Sequence, residues 1–158
     1  MLINITDAEK EVLARWVPGV DLSRVKIKTG PITDKVCAML GAQAITIGYT
    51  IFASSKSWIV QNPACHPVRL ALLLHEIFHA RHEAEKGLPW YMLQYIAIAL
   101  CLILRAIITK RWFTPRKLAH FIASYHPYEK PAYKLQTEFL NKYWTGEEAE
   151  KWKGVTPK

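Results

Sequence analysis

The residues best suited to chemistry in this chain are His75, Glu76 and His79, in the run His75-Glu76-Ile77-Phe78-His79. Residues four apart on a helix of 3.6 residues per turn stand one above the other, so the two imidazoles share a face and can grip one cation. Glu76 is turned by roughly 100° from His75 and still reaches a water held by that cation. Two neutral nitrogen donors beside a carboxylate suit one Zn2+ ion. With three protein ligands, zinc keeps a position for water and brings that water's pKa toward ~7. The expected roles are metal ligand for His75 and His79, and general base for Glu76. Chance alone produces such a pattern roughly once in seventy chains of this composition, so its surroundings matter. They are apolar: Leu70, Leu72, Leu73, Leu74 and Phe78 crowd the motif. Two histidines and a carboxylate buried there without partners would be costly.

A third ligand is required. Glu85, six residues after His79, would need the helix to break at position 82, which in other zinc helices is a glycine; here it is His82. His82 shares the motif face, but positions 75 and 82 are ~10 Å apart along a straight helix and cannot meet on one ion. His82 is therefore expected to support a ligand or to lie at the surface. Downstream acids are Glu129, Glu138 and the cluster Glu147, Glu148 and Glu150. Glu129 opens the last expected helix in His126-Pro127-Tyr128-Glu129-Lys130-Pro131-Ala132-Tyr133, where Pro131 is tolerated in the first turn and Ala132 leaves room for close packing. Glu138 would point to the opposite side. Glu129 is the expected third ligand. Beside it, Tyr125, His126 and Tyr128 are alternative donors to a developing oxyanion.

Several elements must position these groups. Thr6-Asp7-Ala8-Glu9 reads as a capping box, followed by Val12, Leu13, Trp16 and Val17 at helical spacing and a stop at Pro18-Gly19. Residues 23–28 alternate as a half-buried strand does, and Gly30-Pro31 reads as a turn. The β-branched runs at 44–47, 49–52 and 57–60 predict two or three short antiparallel strands. The motif helix is expected over about residues 68–86, closed by Gly87 and Pro89. Residues 88–104 carry no charge and sit at the lower margin for a membrane span. A single crossing there would put His79 and Glu129 on opposite sides, so the preferred reading is a helix buried between the motif helix and the last one, with Trp90, Tyr91 and Tyr95 packing. The second option is an apolar hairpin at a membrane interface. A short apolar helix around 118–125, a last helix over about 128–144 and a frayed tail at 146–158 complete the pattern.

The chain has 158 residues, 51% of them hydrophobic, and a formal net charge of +8. That suits one globular domain rather than a disordered chain. The expected architecture is α+β: a minimal zincin-like domain with a small antiparallel sheet on the motif helix, then an apolar helix pair and a C-terminal helix. Cys37, Cys65 and Cys101 are too few and too scattered for a disulfide framework or a structural zinc site. The N-terminus lacks the basic start and apolar run of a secretory signal, so a cytoplasmic location is expected, with peripheral membrane association as an option. No Asp or Glu falls between residues 87 and 128, while Arg105, Lys110, Arg111, Arg116 and Lys117 do. This stretch suits an anionic membrane surface or an acidic partner. No nucleic-acid module accompanies it, so specific nucleic-acid recognition is not expected.

HEIFHARH, a long apolar linker and HPYEKPAY together resemble the small gluzincin-type zinc metallopeptidases of the DUF4157-like group. GAQAITIGYTIFA is similar to the strand pair that precedes their motif helix, and the resemblance spans about residues 22–140. It implies His75, His79 and Glu129 as zinc ligands and Glu76 as general base, acting on a protein or peptide substrate. Many members carry Gln where this chain has His82. The leading expectation is thus a zinc-dependent metallopeptidase. The rivals are a non-catalytic, metal-stapled interaction protein and a peripheral membrane-binding module.

Overall fold

The computed structural model describes residues 1–108, 121 and 125–144. It is a mixed α+β domain built around one buried helix. Strands β1 (Leu2–Ile3), β2 (Lys26–Lys28), β3 (Ala44–Ile47) and β4 (Thr50–Ala53) form a sheet of order β1-β2-β4-β3. The helices are α1 (Asp7–Trp16), α2 (Pro31–Leu40), α3 (Trp58–Gln61), α4 (Pro67–Lys86), α5 (Leu88–Ile108) and α6 (Glu129–Trp144).

The sheet is mixed, not purely antiparallel as expected. β3 and β4 form an antiparallel hairpin turning at Gly48, whereas β2 pairs with β4 in parallel. A parallel pair needs a crossover, and α2 with β3 supplies it. That helix is absent from the sequence reading: the Gly30-Pro31 "turn" is its N-terminus, with Pro31 in the first turn, where no helical N–H partner is lost. Its apolar positions Ile32, Val36, Met39 and Leu40 are exposed, so burial did not shape its pattern. The strand expected at 57–60 is also helical. Ser57 caps Ile59 N–H through its side chain, and this local cap outweighs the β-branched pair Ile59-Val60. β2 is shorter than expected because Arg24 and Val25 spend their N–H groups on turn bonds to Asp21 and Leu22.

α4 is the spine. Leu70, Leu73, Leu74 and Ile77 are buried in a single core with Leu13, Ile27, Ile51, Ile59 and Phe139. α1 keeps its capping box, with Thr6 and Glu9 bonded reciprocally. Glu9 is fully buried and also pairs with Arg69 of α4 at 2.6 Å. Trp16 packs edge-on to Phe139 at 5.3 Å and so joins α1 to α6. Ala132 is completely buried, which allows α6 its close and extensive packing on α4. Gly87 ends α4 at φ +81, a conformation that favours glycine, and α5 starts at the next residue.

α5 corrects the preferred reading of the apolar segment. It is one helix of 21 residues, and only Tyr91 and Ala106 are buried along it. Tyr91 packs inward and Tyr95 is half-buried, but Trp90, Leu93, Ile96, Leu100 and Leu104 face outward. Its first turns meet α4 and the start of α6 through Tyr91 and Tyr95, Ala106 is buried near the far end, and one apolar face between them stays exposed. The expected helix at 118–125 (apart from Phe121 and Tyr125), the basic loop before it and the tail at 146–158 lie outside the described residues.

Candidate metal centre

His75 and His79 lie one turn apart on α4, with Nε2 atoms 3.2 Å from each other. Glu129, in the first turn of α6, brings Oε2 to 3.2 Å from His75 Nε2 and Oε1 to 3.5 Å from His79 Nε2. All three side chains are buried. Their ligand atoms lie within 4.8 Å of one another, and they form a group that can hold a metal ion. Bonds of ~2.0–2.1 Å in a tetrahedral shell separate ligand atoms by about 3.3–3.4 Å, which these contacts match. The donor set therefore fits a small four-coordinate cation.

Electrostatics support the fit. Burial opposes a charged Glu129, but the two imidazoles outweigh it and hold the carboxyl well below the usual range. Burial likewise disfavours a charged His79, yet the hydrogen bond and charge of Glu129 prevail and raise its pKa. Without a cation, this cluster holds a proton where a cation would stand. Metal binding is then an exchange of proton for ion.

The ligands are braced by residues the sequence reading assigned only to packing. Tyr91 OH lies 2.9 Å from His79 Nδ1, on the far side of that ring from the cluster. With Nε2 facing a cation, Nδ1–H donates to this phenol and fixes the tautomer. Tyr95 OH donates to Glu129 Oε1 at 2.7 Å. Both tyrosines come from one face of α5, four residues apart. Tyr133, one turn beyond Glu129, sets its ring 4.6 Å from that of His75 and stays partly exposed.

Glu76 is buried, and its Oε2 accepts a hydrogen bond from Thr46 Oγ1 at 2.7 Å. Thr46 belongs to β3, the edge strand on this side of the sheet. The alternation of β3 that turns Ala44 and Thr46 inward thus also orients the carboxylate beside the ligands. Glu83, two turns beyond His75 on the motif face, was missed altogether. It is buried, takes the Gly48 N–H on Oε2, and leaves Oε1 without a partner among the described residues. Burial pushes its pKa up to about 7. The i, i+4, i+8 spacing of His75, His79 and Glu83 was the available signal.

The remaining candidates are placed as follows. His82 is partly buried, with Nδ1 3.1 Å from the Phe78 carbonyl and its ring on Phe78, away from the ligand atoms. His126 is fully buried; its Nε2 donates to the Tyr95 carbonyl at 3.2 Å, and its Nδ1 accepts from Tyr128 N–H. Burial lowers its pKa and keeps it neutral. Tyr128 stacks on Tyr91 at 5.0 Å, accepts from Lys86 and donates to Gln94. Tyr125 is half-exposed against Phe121. His126 and Tyr128 thus lock the entry to α6 that delivers Glu129. Glu85 and Glu138 pair with Arg81 and Lys134 at the surface.

Comparison with curated proteins and with solved structures returns no match. A family model described as the eCIS core domain matches residues 8–87. That match runs from α1 to the end of α4 and includes His75, Glu76 and His79, while the resemblance read from the sequence reached on past Glu129. It covers just over half of the sequence, and the chain belongs to the eCIS core domain family, DUF4157.

Proposed function

We propose that the protein is a zinc-dependent metallopeptidase, with His75, His79 and Glu129 holding one Zn2+. The observation that carries this reading is the convergence of two Nε2 atoms and a carboxylate at 3.2–3.5 Å, with a buried carboxylate at the residue after His75. When bound, zinc supplies a water of lowered pKa and polarises the scissile carbonyl. Glu76, held by Thr46, accepts the proton of the attacking water and passes it to the leaving amine. Tyr133 is better placed than Tyr125, His126 or Tyr128 to stabilise the oxyanion, since it stands at the partly exposed side of the cluster against His75. An extended peptide substrate would add to the outer edge of β3, the edge strand among the described residues; 57–60, the other strand considered for this, is a helix start, Ser57 capping Trp58–Gln61.

Burial of all three ligands favours a second reading, in which the ion only staples α6 to α4. Two measurements separate the readings. Metal analysis of the purified protein should give one zinc per chain, lost in His79→Ala. Glu76→Gln should keep the zinc and abolish cleavage of a peptide library. Retained cleavage in Glu76→Gln refutes the mechanism, and a zinc-loaded wild type that cleaves nothing leaves the staple.

A further inference from the structure

α5 brings Tyr91 and Tyr95 to the metal ligands, but its apolar surface far exceeds that task. Beyond Tyr95 the helix runs on through Ile108, about 20 Å at 1.5 Å per residue. Leu93, Ile96, Leu100, Leu104, Ile107 and Ile108 are all more than half exposed. At 100° per residue, these positions with Ala97 and Cys101 cover an arc of about 140°, much wider than the narrow seam of a helix-to-helix coiled coil. Arg105 stands at the border of that arc. No acidic residue occurs between 87 and 128, while Lys110, Arg111, Arg116 and Lys117 follow the helix directly.

A wide apolar face, followed in sequence by cations and without an acid from 87 to 128, matches an anionic lipid surface better than a second protein helix. Spanning is excluded by the connectivity. His126 lies back against the Tyr95 carbonyl, so a chain that crossed along α5 would have to cross a second time. The return stretch carries four Lys or Arg residues, each costly in hydrocarbon. We infer that the exposed apolar face of α5 docks the protein on an anionic bilayer. Leu100 and Leu104 enter the acyl boundary. Because α5 also carries Tyr91 and Tyr95, docking holds the candidate metal centre next to the lipid surface. The inference does not depend on peptidase activity.

The test is cosedimentation of the full chain with vesicles of phosphatidylcholine alone or with about one-third phosphatidylglycerol. Binding is expected on the anionic vesicles, with at least about tenfold less on the neutral ones and release by about 0.5 M salt. Leu100→Glu with Leu104→Glu should abolish it while circular dichroism and metal content stay unchanged; both positions are exposed, so the fold tolerates them. Failure of the wild type to bind anionic vesicles overturns the inference, as does full binding by the Leu100/Leu104 variant. Association that survives high salt would mean insertion rather than docking. Self-association broken by the same pair, without vesicle binding, would assign the face to a second copy of the chain.

Discussion

Glu83→Gln tests the electrostatics of the motif face directly. Glu83 is 2% exposed, shares only one of its two oxygens, and titrates near 7 in place of 4.5. The unfolded carboxyl ionises near 4.5, so between pH 4.5 and 7 the folded chain holds more protons than the unfolded one. Stability therefore falls as pH rises through this window and levels off above it. The gap corresponds to about 3 kcal/mol at most. The substituted amide keeps an oxygen for the Gly48 N–H and carries no charge at any pH, so it should remove that slope. In urea denaturation of the metal-free protein, Glu83→Gln should match or slightly trail wild type at about pH 5. At about pH 8 it should exceed wild type by about 2–3 kcal/mol. Metal must be stripped first, because a cation at His79, one turn away, would favour the ionised carboxylate. His79, whose pKa Glu129 raises, contributes to both proteins, so the difference between their curves carries the result. Parallel curves across this range would refute the argument that Glu83 is held protonated.

Tyr95→Phe removes the donor to Glu129 and should weaken zinc binding by about 10–100-fold in chelator competition, whereas Glu129→Ala should cost more. Affinity should also fall with pH below the raised pKa of His79, since a proton then competes with the ion. Arg69→Met leaves the Glu9 carboxylate buried and uncompensated; the expected loss is about 3–5 kcal/mol in urea denaturation, partly restored by adding Glu9→Gln. Burial opposes ionised Glu9 but Arg69 and Thr6 hold its pKa low, so the wild-type contribution of this pair should persist above pH 4.5 and fade in acid.

Much of the candidate centre was legible because its signals are short-range. The spacing of His75 and His79 fixes a shared helix face wherever that helix lies, and the capping box of α1 is likewise complete within four residues. Glu129 could be chosen because a first-turn acid followed by Ala132 permits close helix contact, and α6 does pack there. What failed required knowledge of distant partners. Tyr91 and Tyr95 look like packing residues until α4 and α6 place His79 and Glu129 against their hydroxyls. Glu83 looks like surface charge until the β3–β4 hairpin sets the Gly48 N–H above it. α2 is missed because Gly30-Pro31, which reads as a turn, is a helix start, and α3 because its β-branched Ile59-Val60 reads as strand while Ser57 caps a helix.

From local order alone, the chain specifies a helix able to present two imidazoles and a carboxylate on adjacent stripes, and an apolar segment followed by cations. Periodicity suffices for that, since it depends on neighbours within a turn or two. Only the packed molecule decides that the Glu129 carboxylate meets the two imidazoles, that Thr46 orients Glu76, and that one apolar face of α5 stays exposed. Those outcomes follow from which faces meet across the core, and contacts between residues roughly 30 to 60 positions apart leave no periodic trace in the sequence.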